Sequence, residues 1–267
     1  MMKQSIMAAV LHVFVGLSAM LTASAADTTK PNVLLIMADD LGWRDTSCYG
    51  STFYKTPHID RLAKSGMRFV NGFSAHPSCS PTRCSVLTGQ YPIRTGFTSA
   101  AGHLKEKREQ LERKTGPGFY RGLGPRSTTY LDTSYYTLGE AMKDAGYATS
   151  LFGKWQLGHT PSNPEAHGFD YVRGGRHQPG PPGKDLKRQF YPPWKDCETL
   201  DSNLPANTHV DDYITNLAIE HMTDMKKQDK PFFMCYWPYS VHAPFQSKPE
   251  LIEKWKKRVD PKDPQRS

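Results

Sequence analysis

Val33-Leu34-Leu35-Ile36-Met37-Ala38 is an unbroken apolar row, preceded by Pro31 and closed by Asp39-Asp40. A strand apolar at every position, rather than at alternate ones, suits a sheet covered on both faces, and such sheets are typically parallel. Parallel strands need long crossovers to reach their neighbours, and the downstream sequence supplies them. Thr56-Pro57 opens a helix with Thr56 as N-cap, Ile59, Leu62 and Ala63 on one face, and Gly66 as its stop. Met67 to Val70 then reads as extended and apolar. A second helix runs from Thr137 through Ala145 to Gly146, and Tyr147 to Phe152 follows as a buried strand ending at Gly153-Lys154. A third helix, roughly from Asp211 to Met225, carries Ile214, Leu217, Ala218 and Met222 at helical spacing. Pro231 starts the next apolar stretch, Phe232 to Trp237. This alternation predicts an α/β fold, a mostly parallel central sheet with helices on both faces, whose ligand site lies beyond the carboxyl ends of the strands.

The first residues stand apart from that fold. Lys3 precedes an apolar run from Ile6 to Leu21, and Ala23-Ser24-Ala25 supplies the small residues of an A-x-A cleavage site. The pattern predicts a secretory signal peptide over residues 1–25, removed on export to the periplasm or the exterior, with no stable membrane insertion. The run is at the short end for a bilayer span. Residues 26–267 remain, long enough to bury a substantial core.

A formal net charge of +8 is spread along the chain. The one basic cluster, Lys254, Lys256, Lys257 and Arg258, suits a solvated helix face. Export argues against nucleic acid as a partner, so the surplus charge favours anionic small molecules or polyanionic glycans. Five cysteines, Cys48, Cys79, Cys84, Cys197 and Cys235, would permit two disulfides in an oxidising compartment and leave one thiol over. Their spacing matches no zinc site. Two long irregular stretches, 98–130 and 160–208, are rich in Gly, Pro, Arg and Tyr, and loops of that length are commonly functional.

The chemistry is concentrated in His76-Pro77-Ser78-Cys79-Ser80-Pro81-Thr82-Arg83-Cys84-Ser85-Val86-Leu87-Thr88-Gly89. Pro81 and the following periodic residues put Cys79 near a helix N-terminus, where backbone N–H groups and the helix dipole favour an anion. Arg83 lies one turn further on. The segment resembles the C-x-P-x-R signature of the formylglycine-dependent sulfatases, including the Leu-Thr-Gly that follows it. The resemblance implies an alkaline-phosphatase-like fold and conversion of Cys79 to formylglycine by a maturation enzyme. One hydroxyl of the aldehyde hydrate attacks sulfur and becomes a sulfate ester. The other loses its proton and collapses back to the carbonyl, expelling sulfate, an exit that a serine ester does not have. Arg83 would hold the formylglycine hydroxyl and offset charge.

Further segments carry the same resemblance. Asp39-Asp40 sits where the family has two calcium-binding carboxylates, and with Cys79 it makes the implied metal set for Ca²⁺, or alternatively Mg²⁺. Gly153-Lys154-Trp155-Gln156-Leu157-Gly158 is similar to the family's G-K-W-H-L-G, which gives Lys154 a catalytic and sulfate-contacting role. Gln156 replaces the histidine of that pattern. Glutamine can hold a hydroxyl but cannot accept a proton near neutral pH, so elimination would need another base, for which nearby His159 is one candidate. His242, in Ser240-Val241-His242-Ala243-Pro244-Phe245, matches the histidine that bonds the substrate's bridging oxygen and helps the alcohol leave. Thr56 to Ala63 also resembles a family segment, with His58 where asparagine is usual.

The family completes its metal site with an Asp-Asn pair and a lysine further on, then a smaller C-terminal subdomain, and no such pair precedes Ser267. The resemblance therefore implies a sequence truncated before that subdomain. A Ca²⁺ site takes six to eight oxygen donors, so the chain by itself is expected to be weakly active or inactive. The reading is a sulfuric ester hydrolase acting on a sulfated small molecule or glycan, with Arg, Tyr and Trp in the long loops suited to anionic sugars. A phosphonate or phosphate ester hydrolase of the same superfamily and an inactive sulfatase relic stay open as alternatives.

Overall fold

A computed structural model describes residues 30–104, 125–181, 183, 187–194, 197–259 and 262. The predicted leader, and 105–124 of the first long loop, lie outside the described residues.

Four strands, β1 (Val33–Ile36), β2 (Ala148–Gly153), β3 (Tyr171–Gly174) and β4 (Phe232–Trp237), form one sheet in the order β1-β4-β2-β3. All three pairings are parallel, with Val33 opposite Phe233, Ala148 opposite Phe232 and Ser150 opposite Tyr171. Five helices of two or more turns accompany it: α1 (Pro57–Ser65), α2 (Cys79–Thr88), α3 (Leu138–Asp144), α4 (Val210–Lys227) and α5 (Pro249–Lys256). Thr137 caps α3 through the N–H of Glu140, whose carboxylate accepts the Thr137 N–H in return. This reciprocal box satisfies donors the helix cannot satisfy itself.

Side-chain alternation along the strands divides the core in two. Leu151, Phe233, Cys235 and Trp237 point to one side and pack with Cys84 and Leu87 of α2, while Leu138 and Met142 of α3 pack against the cluster from its edge. Phe152, Phe232 and Met234 point to the other and meet Ala218, Leu217 and Met222 of α4. Full burial of one such side chain contributes about 1.5–3 kcal/mol. Helices on both faces and an all-parallel sheet are as the sequence predicts.

Four expectations need correction. Leu34 and Ile36 of β1 are 43% and 55% exposed, so this strand is covered on one face rather than two. β1 stands at the end of the sheet, away from the β2, β3 and β4 surface on which α4 lies. Met67 to Val70 joins no strand, and Met67, Phe69 and Val70 are exposed. The stretch 160–208 is not wholly irregular, because it contains β3 and a short 3₁₀ turn at Pro164–His167. All five cysteines are free thiols rather than disulfide partners. Cys84 and Cys235 sit in the core, where burial pushes the Cys84 thiol up to about 11 and raises that of Cys235 further.

Glycine decides how closely the two central strands approach at their carboxyl ends. Gly153 closes β2 with φ 100°, and a Cβ there would lie 2.0 Å from the carbonyl oxygen of Trp237. No other residue fits against β4 at that point. Lys154, the next residue after Gly153, enters the site, and β4 reaches it through the turn that follows Trp237.

Candidate active site

Three neighbouring strands deliver the site: β1 leads into Asp39-Asp40, β2 into Lys154, and β4 into the turn that ends at His242. β4 lies between β1 and β2, so all three ends open on one crevice, and α2 points its N-terminus into it. Cys79 is the first residue of α2. Ser78 occupies the N-cap without a side-chain hydrogen bond, and its N–H turns back to His76 Nδ1 at 3.0 Å. The helix dipole at Cys79 is therefore not quenched by a capping side chain.

Behind Cys79 lies a buried charge cluster. Asp39, Arg83 and Lys154 are 6%, 1% and 1% exposed. Lys154 Nζ donates to Asp39 Oδ2, and an Arg83 guanidinium nitrogen lies 3.6 Å from the same oxygen. Arg83 also donates to the Lys154 carbonyl at 2.7 Å and stacks over the Trp237 ring at 5.1 Å. Burial alone would raise the Asp39 carboxyl. The charges of Arg83 and Lys154 outweigh that and hold it below the ordinary carboxylate value. Burial lowers the Arg83 guanidinium, against the pull of Asp39 and Cys79. Two buried cations facing one buried carboxylate leave the pocket electropositive, which suits a tetrahedral oxyanion.

On the outer side, Asp39, Cys79 and His242 each place one ligand atom within 4.8 Å of the others. His242 Nε2 also lies 3.6 Å from Asp40 Oδ2. Asp39 and Asp40 supply the hard oxygens that a divalent cation prefers, so the donor set fits Ca²⁺ or Mg²⁺ in part, with remaining positions to come from elsewhere. Two buried polar atoms, Arg83 Nε at the site and Gln156 Oε1 two residues beyond Lys154, have no hydrogen-bond partner among the described residues. Buried polar groups are rarely left so, and a bound ligand is one way to satisfy them.

The structure thus brings together Asp39, Asp40, Cys79, Arg83, Lys154 and His242, but not the candidate base His159. Its ring stacks on His177 with centroids 3.5 Å apart, and Nε2 faces the His103 carbonyl at 3.4 Å. Gln156 is 1% exposed and held at φ 54°, with its carbonyl accepting from Ser80 Oγ at 2.9 Å and its N–H bonded to the Arg176 carbonyl. A Cβ on Gly102 would fall 1.9 Å from that Gln156 carbonyl, so the loop before residue 105 must carry glycine there. Sequence reasoning missed Trp237 beneath Arg83 and Ser80 as the tether of Gln156. Their only signal was position, one at a strand end and the other beside Cys79.

Fold and site define a parallel α/β domain that gathers a cysteine at a helix N-terminus, two buried cations and a carboxylate pair at its strand ends. The chain belongs to the sulfatase family, whose model matches residues 31–266. It is 35% identical over 231 residues to human N-acetylgalactosamine-6-sulfatase, covering 83% of this chain and 41% of that protein. With the N-acetylgalactosamine-6-O-sulfatase of Bacteroides thetaiotaomicron it shares 38% identity over 156 residues, 54% of this chain and 26% of the relative. The structure of BT4656 in complex with its substrate D-glucosamine-2-N,6-O-disulfate superposes with a TM-score of 0.62 at 26% identity, over 86% of this chain and 38% of that one. The chain spans less than half the length of these relatives.

Proposed function

We propose that this chain carries the nucleophile half of a sulfuric ester hydrolase that releases sulfate from an organic sulfate ester, with Cys79 converted to formylglycine by a maturation enzyme. The observation that carries the reading is Cys79 at the first position of α2, beside buried Arg83 and Lys154. Lys154 binds the sulfate oxygens, and Arg83 holds the formylglycine hydroxyl and offsets charge as the ester forms. His242 faces the leaving oxygen and gives it a proton. Gln156 Oε1 accepts a hydrogen bond from the formylglycine hydroxyl and fixes its orientation without titrating. Asp39 and Asp40, with the modified Cys79, would hold Ca²⁺ or Mg²⁺, which would supply electrophilic stabilisation of the sulfate oxygens.

The substrate class we infer is a sulfated sugar. Two of the similar proteins are named for N-acetylgalactosamine-6-sulfate and a third was solved with a disulfated glucosamine. The leader pattern over residues 1–25 supports export, where such glycans occur. No helix among the described residues is long and apolar enough to cross a membrane.

Sulfate release from 6-sulfated hexosamines and aryl sulfates, paired with the matching phosphate esters, tests the reading. Protein co-expressed with a formylglycine-generating enzyme and supplied with Ca²⁺ is expected to release sulfate only weakly, since the chain carries part of the cation site, and Cys79→Ala to release none. Matured protein that hydrolysed only the phosphate esters would overturn it.

A further inference from the structure

The turn that carries His242 is held from two directions. On one side the Asp39 carbonyl accepts the N–H of Val241 at 3.3 Å, and the turn closes on itself through His242 N–H to the Tyr239 carbonyl at 3.1 Å. On the other side stands Asp211, in the first turn of α4. Its Oδ1 accepts the N–H of Tyr239 at 3.0 Å. Its Oδ2 accepts both the N–H of Ser240 at 3.1 Å and the Ser240 hydroxyl at 2.5 Å. One carboxylate therefore takes three donors from the two residues that lead into the histidine turn.

A carboxylate at a helix N-terminus is ordinarily explained by the dipole alone. Asp212 shows what that ordinary case looks like: it lies in the same turn, and its bond runs to the Lys248 ammonium at 2.8 Å, on a half-exposed side chain. Asp211 differs because all the bonds of its carboxylate end on the backbone and hydroxyl of the β4 exit. Charge-assisted bonds from N–H and O–H groups to a carboxylate are about twice as strong as neutral ones.

We propose that Asp211 is a positioning residue for His242, fixing the Tyr239–Ser240 backbone so that the imidazole stays against Asp39, Asp40 and Cys79. The inference rests on the reading of His242 as the group that meets the leaving oxygen, and its test separates the two.

The imidazole signals of His242 in the full chain read positioning directly, without turnover. Asp211→Asn is expected to shift and broaden them, Ser240→Ala to move them less in the same direction, and Asp211→Glu to restore part of the wild-type signal. Asp212→Asn is expected to leave them in place. Unchanged His242 signals in folded Asp211→Asn or in Ser240→Ala would overturn the proposal. Should Asp211→Asn fail to fold, Ser240→Ala carries the test alone. In the matured enzyme, Asp211→Asn is expected to slow alkyl or sugar sulfates by about 10- to 100-fold, the loss that misplacement of a reacting group produces. Nitrophenyl sulfate, whose leaving group needs no proton, is expected to lose far less. If His242→Ala shows no such split while the signals still respond to Asp211→Asn, the leaving-group role is what fails. If His242→Ala splits the substrates and Asp211→Asn does not, the positioning role fails.

Discussion

Asp39 faces two cations in the protein interior, and removing either changes more than a contact. Lys154 has no exposed side-chain surface and Asp39 very little, so the pair has exchanged water for one another. Breaking a buried pair from one side leaves a charge that neither water nor protein compensates, at a cost of about 3–5 kcal/mol. Lys154→Met is expected to destabilise the chain within that range by urea unfolding, toward its low end because Arg83 remains. The double variant Lys154→Met with Asp39→Asn is expected to lose less than the sum of the two single changes. Additive losses would mean that the two side chains do not interact. This cluster was legible in the sequence because each member follows an apolar strand or sits at fixed spacing from Cys79. Asp211 was not, since an Asp-Asp pair at a helix start reads as dipole stabilisation until the β4 exit is seen to bind it. Gln156 was legible as a departure from the family pattern, but its left-handed backbone was not, because that depends on Ser80 and Gly102 from elsewhere in the chain.

The loop between β2 and β3 shows how one element stores a pH response. His167 ends the Pro164–His167 turn, fully buried against the Trp155 ring at 5.6 Å. Burial lowers its imidazole below the ordinary 6.5, only partly opposed by Glu140, the Leu131 backbone and Asp132. A folded-state value below the unfolded one means that the unfolded chain binds the extra proton first. Stability is therefore unaffected above pH 6.5 and falls as pH drops from 6.5 toward the folded value, at up to about 1.4 kcal/mol per pH unit for one group. The Asp39 contribution belongs to a separate window: its carboxyl is depressed, so its stabilisation is present above the ordinary carboxylate value of 3.8 and is lost in stronger acid. Urea unfolding at pH 7.5 and 5.5 is expected to show a loss at the lower pH that His167→Gln reduces. An equal loss in the variant would remove His167 from the account. β3 itself escaped sequence reading because Tyr171-Val172-Arg173-Gly174 is short and half polar. It becomes a strand by pairing with β2, and Arg173 lies over the Tyr171 ring at 4.1 Å.

At the scale of the molecule, the sheet is finished on one side and open on the other. α4 closes the face of β2, β3 and β4, while Leu34 and Ile36 of β1 remain in contact with solvent. The apolar row from Val33 to Ala38 has the composition of a strand buried on both faces, so its sequence carries information that the described residues use only in part. The parallel pairing, the helices on both faces and the site at the strand ends were legible from periodicity and punctuation, whereas the strand order was not. Disulfides were not, because two cysteines pair only when their Cα atoms approach within about 7 Å, and chain spacing says nothing of that. Cys79 stands where a helix N-terminus, two buried cations and a carboxylate pair coincide, and the whole functional reading depends on what becomes of that side chain.

The mass of the tryptic peptide Phe69–Arg83 tests this most directly, because Cys79 is its only cysteine and cleavage after Arg83 separates it from Cys84. Taken from protein co-expressed with a formylglycine-generating enzyme, the peptide is predicted to carry an aldehyde in place of the Cys79 thiol, trapped by a hydrazine reagent. A peptide that keeps an intact thiol, while a known sulfatase is converted in the same cells, would contradict the account.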